Sequence, residues 1–562
     1  MGAIVFERRK IFLILGLISF LVYFNSLGNS FIADDVSAIV NNPLILKPLR
    51  FWLEPSGFLK SLNYLIGGYN PFVYHLTNIF LHFTVAILVF LLLSLFFKIN
   101  TAFLSACLFA VYPINTESVT WISGRPYIIT ALFILGTYLL YHRATPSVSS
   151  GSPISRPDGT AVVKEAAAFR PFYYILSLIV FSYFTIQHTL FSLLLPFFMA
   201  SSDVALKRWR KNIKWWIPYL LITSLNLIAS RSEISNRSAF MTVDMGFSIV
   251  KNPLTYFVYS LYSHFWLLVW PVRLTLFHEP IVIPQSMLDF RVLLYALPVI
   301  PLLIIIFKRA KKLFYCISIF ILFLAPTYSP IPVSSLVAER YLYFPSIALS
   351  AAIAFLYETY SDRKARFKKY FLFLFLLLII ASALRTIIRN MDWDNPRAFW
   401  QQVLSVSPNS WNAHDSLGFI YLSEGDPMRA VEELKQVIAM KRGSVTTYNN
   451  LGVAYTMLGN NKGEAIACFN KVLEIDPEYI NAYYNLGRVY MGINKDKEAE
   501  GAFKKALKIN PYFSSAHFYL CVVYFNQKEY NLAADQCYEA TGLGYKVPAE
   551  LLELLKPYRK IH

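Results

Sequence analysis

Residues Tyr448–Pro477 read YNNLGVAYTMLGNNKGEAIACFNKVLEIDP. Tyr455 stands four positions after Leu451, Ala465 ten further on, Phe469 four beyond that, and Pro477 closes the stretch. Small residues at Gly452 and Ala465 let two helices approach closely, and the aromatic rings fill the gap between them. The spacing returns on both sides. Leu417-Gly418, Leu451-Gly452, Leu486-Gly487 and Leu520-Cys521 are 34, 35 and 34 residues apart. Tyr421, Tyr490 and Tyr524 repeat Tyr455; Ala430, Ala499 and Ala533 repeat Ala465; Phe503 and Pro511 repeat Phe469 and Pro477. Ala398-Phe399-Trp400, running to Pro408, starts the series as a partial unit.

This pattern resembles the tetratricopeptide repeat, and the resemblance implies helix pairs stacked into an α-solenoid over residues 390–562. A solenoid of this kind has a concave face suited to peptides or proteins, so a protein partner is expected there. The plainer alternative is a dimerisation element or a spacer. The repeat tyrosines and alanines are structural, and nothing among the repeats reads as catalytic.

Toward the N-terminus the composition changes. The whole chain is 56% hydrophobic and 15% charged, where a soluble domain has about a quarter charged residues. The net charge of +18 divides unevenly: from Asn390 onward 18 Lys/Arg face 19 Asp/Glu, leaving 34 basic and 15 acidic residues before it. A basic excess confined to the apolar part argues against a nucleic-acid footprint, which would cluster on a soluble face. The five cysteines, Cys107, Cys316, Cys468, Cys521 and Cys537, form no CxxC pair and are odd in number. They read as small buried residues, neither a disulfide framework nor a zinc site.

Residues 1–389 read as a polytopic membrane helix bundle, making the chain all-α. Eleven apolar segments qualify as spans, from Ile11–Leu27 to Tyr370–Leu384, with Thr101–Tyr112, Thr189–Asp203, Val292–Phe307 and Leu313–Tyr328 among the shorter ones. The first lacks a small-x-small cleavage site and reads as an uncleaved helix. Basic clusters at Arg8-Arg9-Lys10, Lys207 to Lys214, Lys308 to Lys312 and Arg363 to Lys369 mark the cytoplasmic side. The Ser/Pro/Gly-rich loop His142 to Arg170 falls on that side as a linker. Leu254 to Trp270 is read as re-entrant or interfacial, because counting it as a crossing breaks the charge pattern. The first loop, Pro113 to Pro126, Ser230 to Arg291, Ser329 to Tyr343 and the repeats then share the outer side, periplasmic or lumenal.

Three of those outer loops carry acids: Asp34-Asp35 in FIADDVSAIV, Glu117 in NTESVTWISGR and Glu339 in AERYLYFP. Twelve basic residues also fall outside, among them Lys60, Arg125, Arg340 and Arg389. Ionisable groups at a membrane boundary are functional candidates. A carboxylate within reach of a hydroxyl acts as a general base, and arginine's planar fork grips phosphate. Simpler roles compete: Asp34 or Asp35 as N-cap of a short helix Val36 to Val40, Asn115 or Thr116 as cap before Val119, and Glu339-Arg340 as an ion pair. His75 and His82, seven apart, read as packing or hydrogen-bonding residues, and His278-Glu279 as weak additions to a site. There is no HExxH, P-loop, GxSxG or Cys/His metal spacing, so no residue is assigned to a metal, and a divalent cofactor stays an open question.

In order, FIADDVSAIVNNPLI, GGYNPFVYHLTNIFLHF, YPINTESVTWISGRPYIITALF, VAERYLYFPSIAL and the repeats resemble the transmembrane and tetratricopeptide-repeat-containing O-mannosyltransferases and their prokaryotic relatives. More broadly they resemble membrane-embedded glycosyltransferases of the C-type fold. The resemblance implies a polyprenyl- or dolichyl-phosphate sugar donor, a protein acceptor and inversion at the sugar carbon. It implies that Asp34 or Asp35, with Asp34 slightly preferred, is the base. Arg125 and Arg340 would stabilise the departing phosphate, and Glu117, Glu339 and Tyr341 would complete the substrate site. Two departures stand out. Pro126-Tyr127 follows Arg125 where the family carries an acid, and Lys60-Ser61 stands near the place of an Arg-Pro pair. The rival readings are a repeat-bearing polysaccharide ligase or polymerase, resting on Arg231 to His278, and a non-catalytic membrane scaffold.

Overall fold

The computed structural model describes residues 2–48, 54–145, 169–187, 194–231, 253–271, 274–275, 311–324, 337–361 and 365–559. Every regular element among them is helical. The chain forms two compact units, 1–402 and 403–562. The first runs past Arg389 because α13 (Ala365–Met391) does so. Asn390 is buried and donates to the Val22 carbonyl at 2.9 Å, and Trp393 is buried with it.

In the first unit α1 (Gly2–Tyr23) precedes α2 (Pro55–Gly67), α3 (Pro71–Leu93), α4 (Ile99–Val111), the short α5 (Thr116–Thr120) and α6 (Arg125–Ala144). Then follow α7 (Arg170–Gln187), α8 (Leu194–Ala205), α9 (Trp209–Ala229), α10 (Pro253–Val269), α11 (Lys311–Leu324) and α12 (Ser346–Ser361). α3 touches α1, α4 and α6, and buries Val85, Ala86, Val89 and Phe90. α13 instead exposes Phe373, Leu374, Ile380 and Leu384. A helix this apolar and this exposed needs a hydrocarbon solvent.

Four described stretches are long and apolar enough to cross a bilayer: Arg8–Gly28, Pro71–Leu93, Ile122–Ala144 and Lys368–Met391. Ile99–Val111 with Pro113–Thr120 makes a fifth if the pair, bent by 48°, is one span. Leu194–Ala205, Leu313–Leu324 and Ser346–Tyr360 are apolar but shorter. The eleven spans expected are therefore not reproduced among the described residues. α4 has 13 residues, about 20 Å of helix against a hydrocarbon core of about 30 Å, and Pro113 interrupts its continuation. Val292–Phe307, the start of Thr189–Asp203 and His278-Glu279 lie outside the described residues.

The second unit is built of helix pairs: α15 (Trp411–Ser423) with α16 (Pro427–Ala439), α17 (Val445–Leu458) with α18 (Lys462–Ile475), α19 (Ile480–Met491) with α20 (Asp496–Ile509), and α21 (Ser514–Asn526) with α22 (Tyr530–Gly542). α14 (Pro396–Val406) precedes them and α23 (Ala549–Leu555) follows. The repeat glycines sit where nothing larger fits. A Cβ on Gly452 would lie 2.6 Å from the Phe469 ring, on Gly487 2.6 Å from Phe503, and on Gly418 2.6 Å from Leu434.

In the last pair both partners of that contact are cysteines, and they are bonded: Cys521–Cys537, with Cα atoms 5.3 Å apart. This corrects the reading of all five cysteines as unlinked buried residues. The pairing follows from the repeat, since Cys521 takes the glycine position and Cys537 the position of Phe469 and Phe503.

Candidate active site

Two groups of charged side chains are organised around one short segment, residues 116–125. α5 and the turn Ile122–Gly124 fold tightly because Gly124 has no side chain: a Cβ there would lie 2.6 Å from the Glu117 carbonyl oxygen. Asn115 does not cap α5 through its side chain; it donates to the Phe109 carbonyl at 2.8 Å. The segment is tied down on two sides. Asn78 donates to the Val119 carbonyl at 3.0 Å, Thr120 to Asn390 Oδ1 at 2.8 Å, and Trp121 stacks on Trp393 at 6.2 Å.

The first group centres on Glu117. Its carboxylate accepts the Arg340 backbone N–H at 2.9 Å and Arg340 Nη1 at 2.5 Å. The guanidinium also lies 5.7 Å from the Trp121 ring and 5.1 Å from that of Tyr341, within cation–π range. Tyr341 packs edge-on to Tyr127 at 5.9 Å. Glu339 pairs with Arg389 Nη2 at 3.1 Å, and Arg389 Nη1 donates to Asp392 at 2.7 Å. Glu339 and Arg340, adjacent in sequence, thus pair outward with different partners. Arg389, one of the outer basic residues, joins this group although no motif contains it. Its position near the end of a long apolar helix is the signal that marks it.

The second group lies at the other end of the segment. Asp35 is 1% exposed and accepts from the Ser123 backbone N–H at 2.7 Å, Ser123 Oγ at 2.6 Å and the Ile32 N–H at 3.4 Å. Burial pushes the Asp35 carboxyl up to about 6, against the opposing pull of Ser123 and Lys60. Lys60 Nζ lies 3.5 Å from Ser123 Oγ. Burial lowers its ammonium below the usual lysine value, with Asp35 opposing. Neither aspartate caps Val36–Val40 through its side chain. Ala33, at φ +53°, turns the chain so that Asp34 is exposed while Asp35 points inward. Among the described residues the Asp34 carboxylate accepts no hydrogen bond, and only its backbone carbonyl does, from Ser37 at 3.0 Å.

Arg125, fully buried, completes this group. Nε donates to Asn78 Oδ1 at 2.6 Å and Nη2 to the Tyr74 carbonyl at 3.1 Å, while Nη1 is buried without a partner. Below Arg125 on the same face of α6, at helical spacings of four, seven and eight, stand Ile129, Leu132 and Phe133. They line an apolar cavity of about 450 Å³ together with Phe58 and Leu59, which immediately precede Lys60 on α2. None of the seven residues expected at the site lines this cavity. The structure joins Asp35 to Arg125 through the Ser123 turn, and Glu117 to Arg340 beside Tyr341, while Glu339 pairs with Arg389 and Asp34 is exposed. His75 and His82 hydrogen-bond within the fold, to the Asn29 carbonyl at 3.1 Å and the Tyr343 hydroxyl at 2.6 Å.

An apolar helix unit with carboxylates and arginines gathered on its connecting segments, joined to tetratricopeptide repeats, defines an integral membrane protein with a repeat-built interaction unit. Family profiles agree on the repeats: TPR repeat matches residues 460–494, and tetratricopeptide repeat residues 480–513. The homologues are protein O-mannosyl-transferases. Protein O-mannosyl-transferase TMTC3 of Homo sapiens is 26% identical over 538 residues, covering 88% of this chain and 54% of that protein. Protein O-mannosyl-transferase TMTC4 of Mus musculus is 26% identical, covering 75% and 65%. Protein O-mannosyl-transferase TMTC1 of Homo sapiens is 36% identical over 150 residues, 22% of this chain and 17% of that protein. The chain spans about half the length of the TMTC3 relative it matches.

Proposed function

We propose that this chain transfers a sugar, mannose by analogy with its relatives, from a polyprenyl-phosphate-type donor to a hydroxyl of a protein, on the non-cytoplasmic side of the membrane. One observation carries the donor assignment. A buried guanidinium with an unpartnered N–H heads the apolar stripe Ile129, Leu132, Phe133. An amphiphile with a phosphate head and an isoprenoid tail matches both halves: phosphate against Arg125 and Lys60, the first isoprene units along the stripe.

In this reading Asp34 is the base, since it is the carboxylate exposed to an acceptor and free of hydrogen bonds that would blunt it. It takes the acceptor's proton as the oxygen attacks the anomeric carbon. The carbon–oxygen bond to phosphate breaks on the opposite side, and the lipid phosphate leaves with the electron pair, inverting the centre. Its charge is neutralised by groups already in place. Asp35 positions the loop by holding Ser123, and Glu117 and Glu339 orient Arg340 and Arg389. The repeat unit binds the protein acceptor. Orientation is supported by the basic clusters and by the Cys521–Cys537 bond, which suits an oxidising compartment.

The test is transfer of radiolabelled mannose from synthetic polyprenyl-phosphate mannose to a serine/threonine-rich peptide by the purified chain. Loss of transfer in Asp34→Asn, with thermal unfolding unchanged, supports the reading. Full transfer in that variant sinks it.

A further inference from the structure

A second polar cluster lies toward the far end of α6 from Arg125, where Tyr141 stands about 24 Å along the helix. Asp203 accepts Arg208 Nε at 2.5 Å, the Tyr141 hydroxyl at 2.6 Å and Trp216 Nε1 at 3.0 Å. It is the sole carboxylate among the described residues of 125–231. What it leaves over is a row of unmet groups. Arg208 Nη2, both amide atoms of Asn212, and Trp215 Nε1 are all buried without a partner. Arg208 is 3% exposed and Asn212 fully buried. They fall at spacings of four and seven, one face at the start of α9, and the Asn212 N–H bonds the Arg208 carbonyl at 3.2 Å. A buried polar atom left unpaired is costly, and three donors with one acceptor on a single face call for a ligand.

The surroundings name its class. Lys207, Arg210, Lys211 and Lys214 are exposed around the row, and Ile213 and Ile217 are exposed on the adjoining face of α9. The helix N-terminus adds positive potential. We propose that this row binds the phosphate of an anionic phospholipid. Arg208, Asn212 and Trp215 donate to phosphate oxygens, Asn212 Oδ1 accepts from a headgroup hydroxyl, and the acyl chains lie along Ile213 and Ile217. The site is separate from the transfer chemistry and does not depend on it.

The experiment uses the full chain in detergent, with retained phosphatidylglycerol or phosphatidylcholine counted by native mass spectrometry and unfolding followed by heat. Phosphatidylglycerol is expected to be retained and to raise the midpoint above that in phosphatidylcholine. Asn212→Leu, which removes the unpaired amide without disturbing Asp203, is expected to weaken retention roughly tenfold, the size of one lost hydrogen bond to a charged group, with its midpoint in phosphatidylcholine no lower than that of the parent. Lys207→Gln/Lys211→Gln is expected to weaken retention as well. Equal retention of the two lipids, or undiminished phosphatidylglycerol retention in Asn212→Leu, overturns the proposal. So does the full shift being reproduced by inorganic phosphate alone, which assigns the row to a free anion.

Discussion

Glu117 grips Arg340 twice, through the backbone N–H at 2.9 Å and through the guanidinium at 2.5 Å, with both side chains buried. The pair therefore fixes a loop 223 residues away in sequence as well as a charge. Removing Glu117 takes away the buried carboxylate that faces the Arg340 charge, and breaking a buried ion pair by deleting one partner costs about 3–5 kcal/mol. Glu117→Ala is expected to lower the unfolding midpoint in detergent sharply. Glu117→Gln/Arg340→Met, with neither charge present, recovers much of the loss. A midpoint unchanged in Glu117→Ala would show that the pair is not formed.

The two adjacent aspartates are expected to fail differently. Asp34→Asn lowers transfer by about 10²–10⁴, the usual contribution of a general base, and leaves stability alone. Asp35→Ala, which orphans the Ser123 N–H, lowers both. Equal activity loss with equal stability loss in the two variants contradicts the division of roles.

Asp35 also sets a pH dependence. Its folded value of about 6 lies above the unfolded value of 3.8, so the native state holds the proton more tightly. The stability this gives is fully present below pH 4 and is lost as pH rises through 6. Asp35→Asn does not titrate. Its stability relative to the parent is expected to rise by about 2 kcal/mol between pH 4 and pH 7, read as the difference between two unfolding curves at each pH. Lys60→Met, by removing an opposing charge, moves the parent's transition to higher pH.

Arg125→Lys tests the donor reading. A lysine keeps the charge but loses the fork that holds Asn78 and the Tyr74 carbonyl while leaving Nη1 to a ligand. The apparent affinity for the lipid-phosphate sugar is expected to fall about tenfold or more, with the acceptor KM unchanged. An acceptor KM that shifts in step with the donor KM argues for a general structural role.

The repeat offers a clean substitution test. Cys537→Phe alone puts a ring against Cys521, where even a glycine's added Cβ would lie 2.6 Å from the ring in the neighbouring repeats. It is expected to destabilise the unit by more than Cys521→Gly/Cys537→Phe, which rebuilds the packing of Gly452 on Phe469. Loss of the cross-link itself is worth about 3 kcal/mol for a loop of this size. If the single variant is as stable as the double, the contact is not the one described.

The repeats were legible because their signal is periodic: Leu-Gly, Tyr, Ala and Phe recur at fixed offsets, and each offset maps to one helix contact. The same periodicity held the disulfide in plain view at Cys521 and Cys537, hidden only by counting cysteines across the chain instead of within the repeat. The membrane unit was legible in kind, from apolar length and charge asymmetry; among the described residues Pro113 bends one segment, and α4, α8 and α11 are shorter than a straight span. Asp35, Glu117, Arg125 and Arg340 were legible as charges out of place. Their pairing was not, since Glu117 with Arg340 and Asp35 with Ser123 are contacts across loops that no local spacing encodes.

A stacked solenoid couples each helix pair only to its neighbours, so local opening travels along it pair by pair. The bond between Cys521 and Cys537 prevents α21 and α22 from parting. Opening that starts among α15 to α20 therefore meets a closed link, and reduction of that link would lengthen the stretch that unravels in one event without altering the surface of the folded repeats.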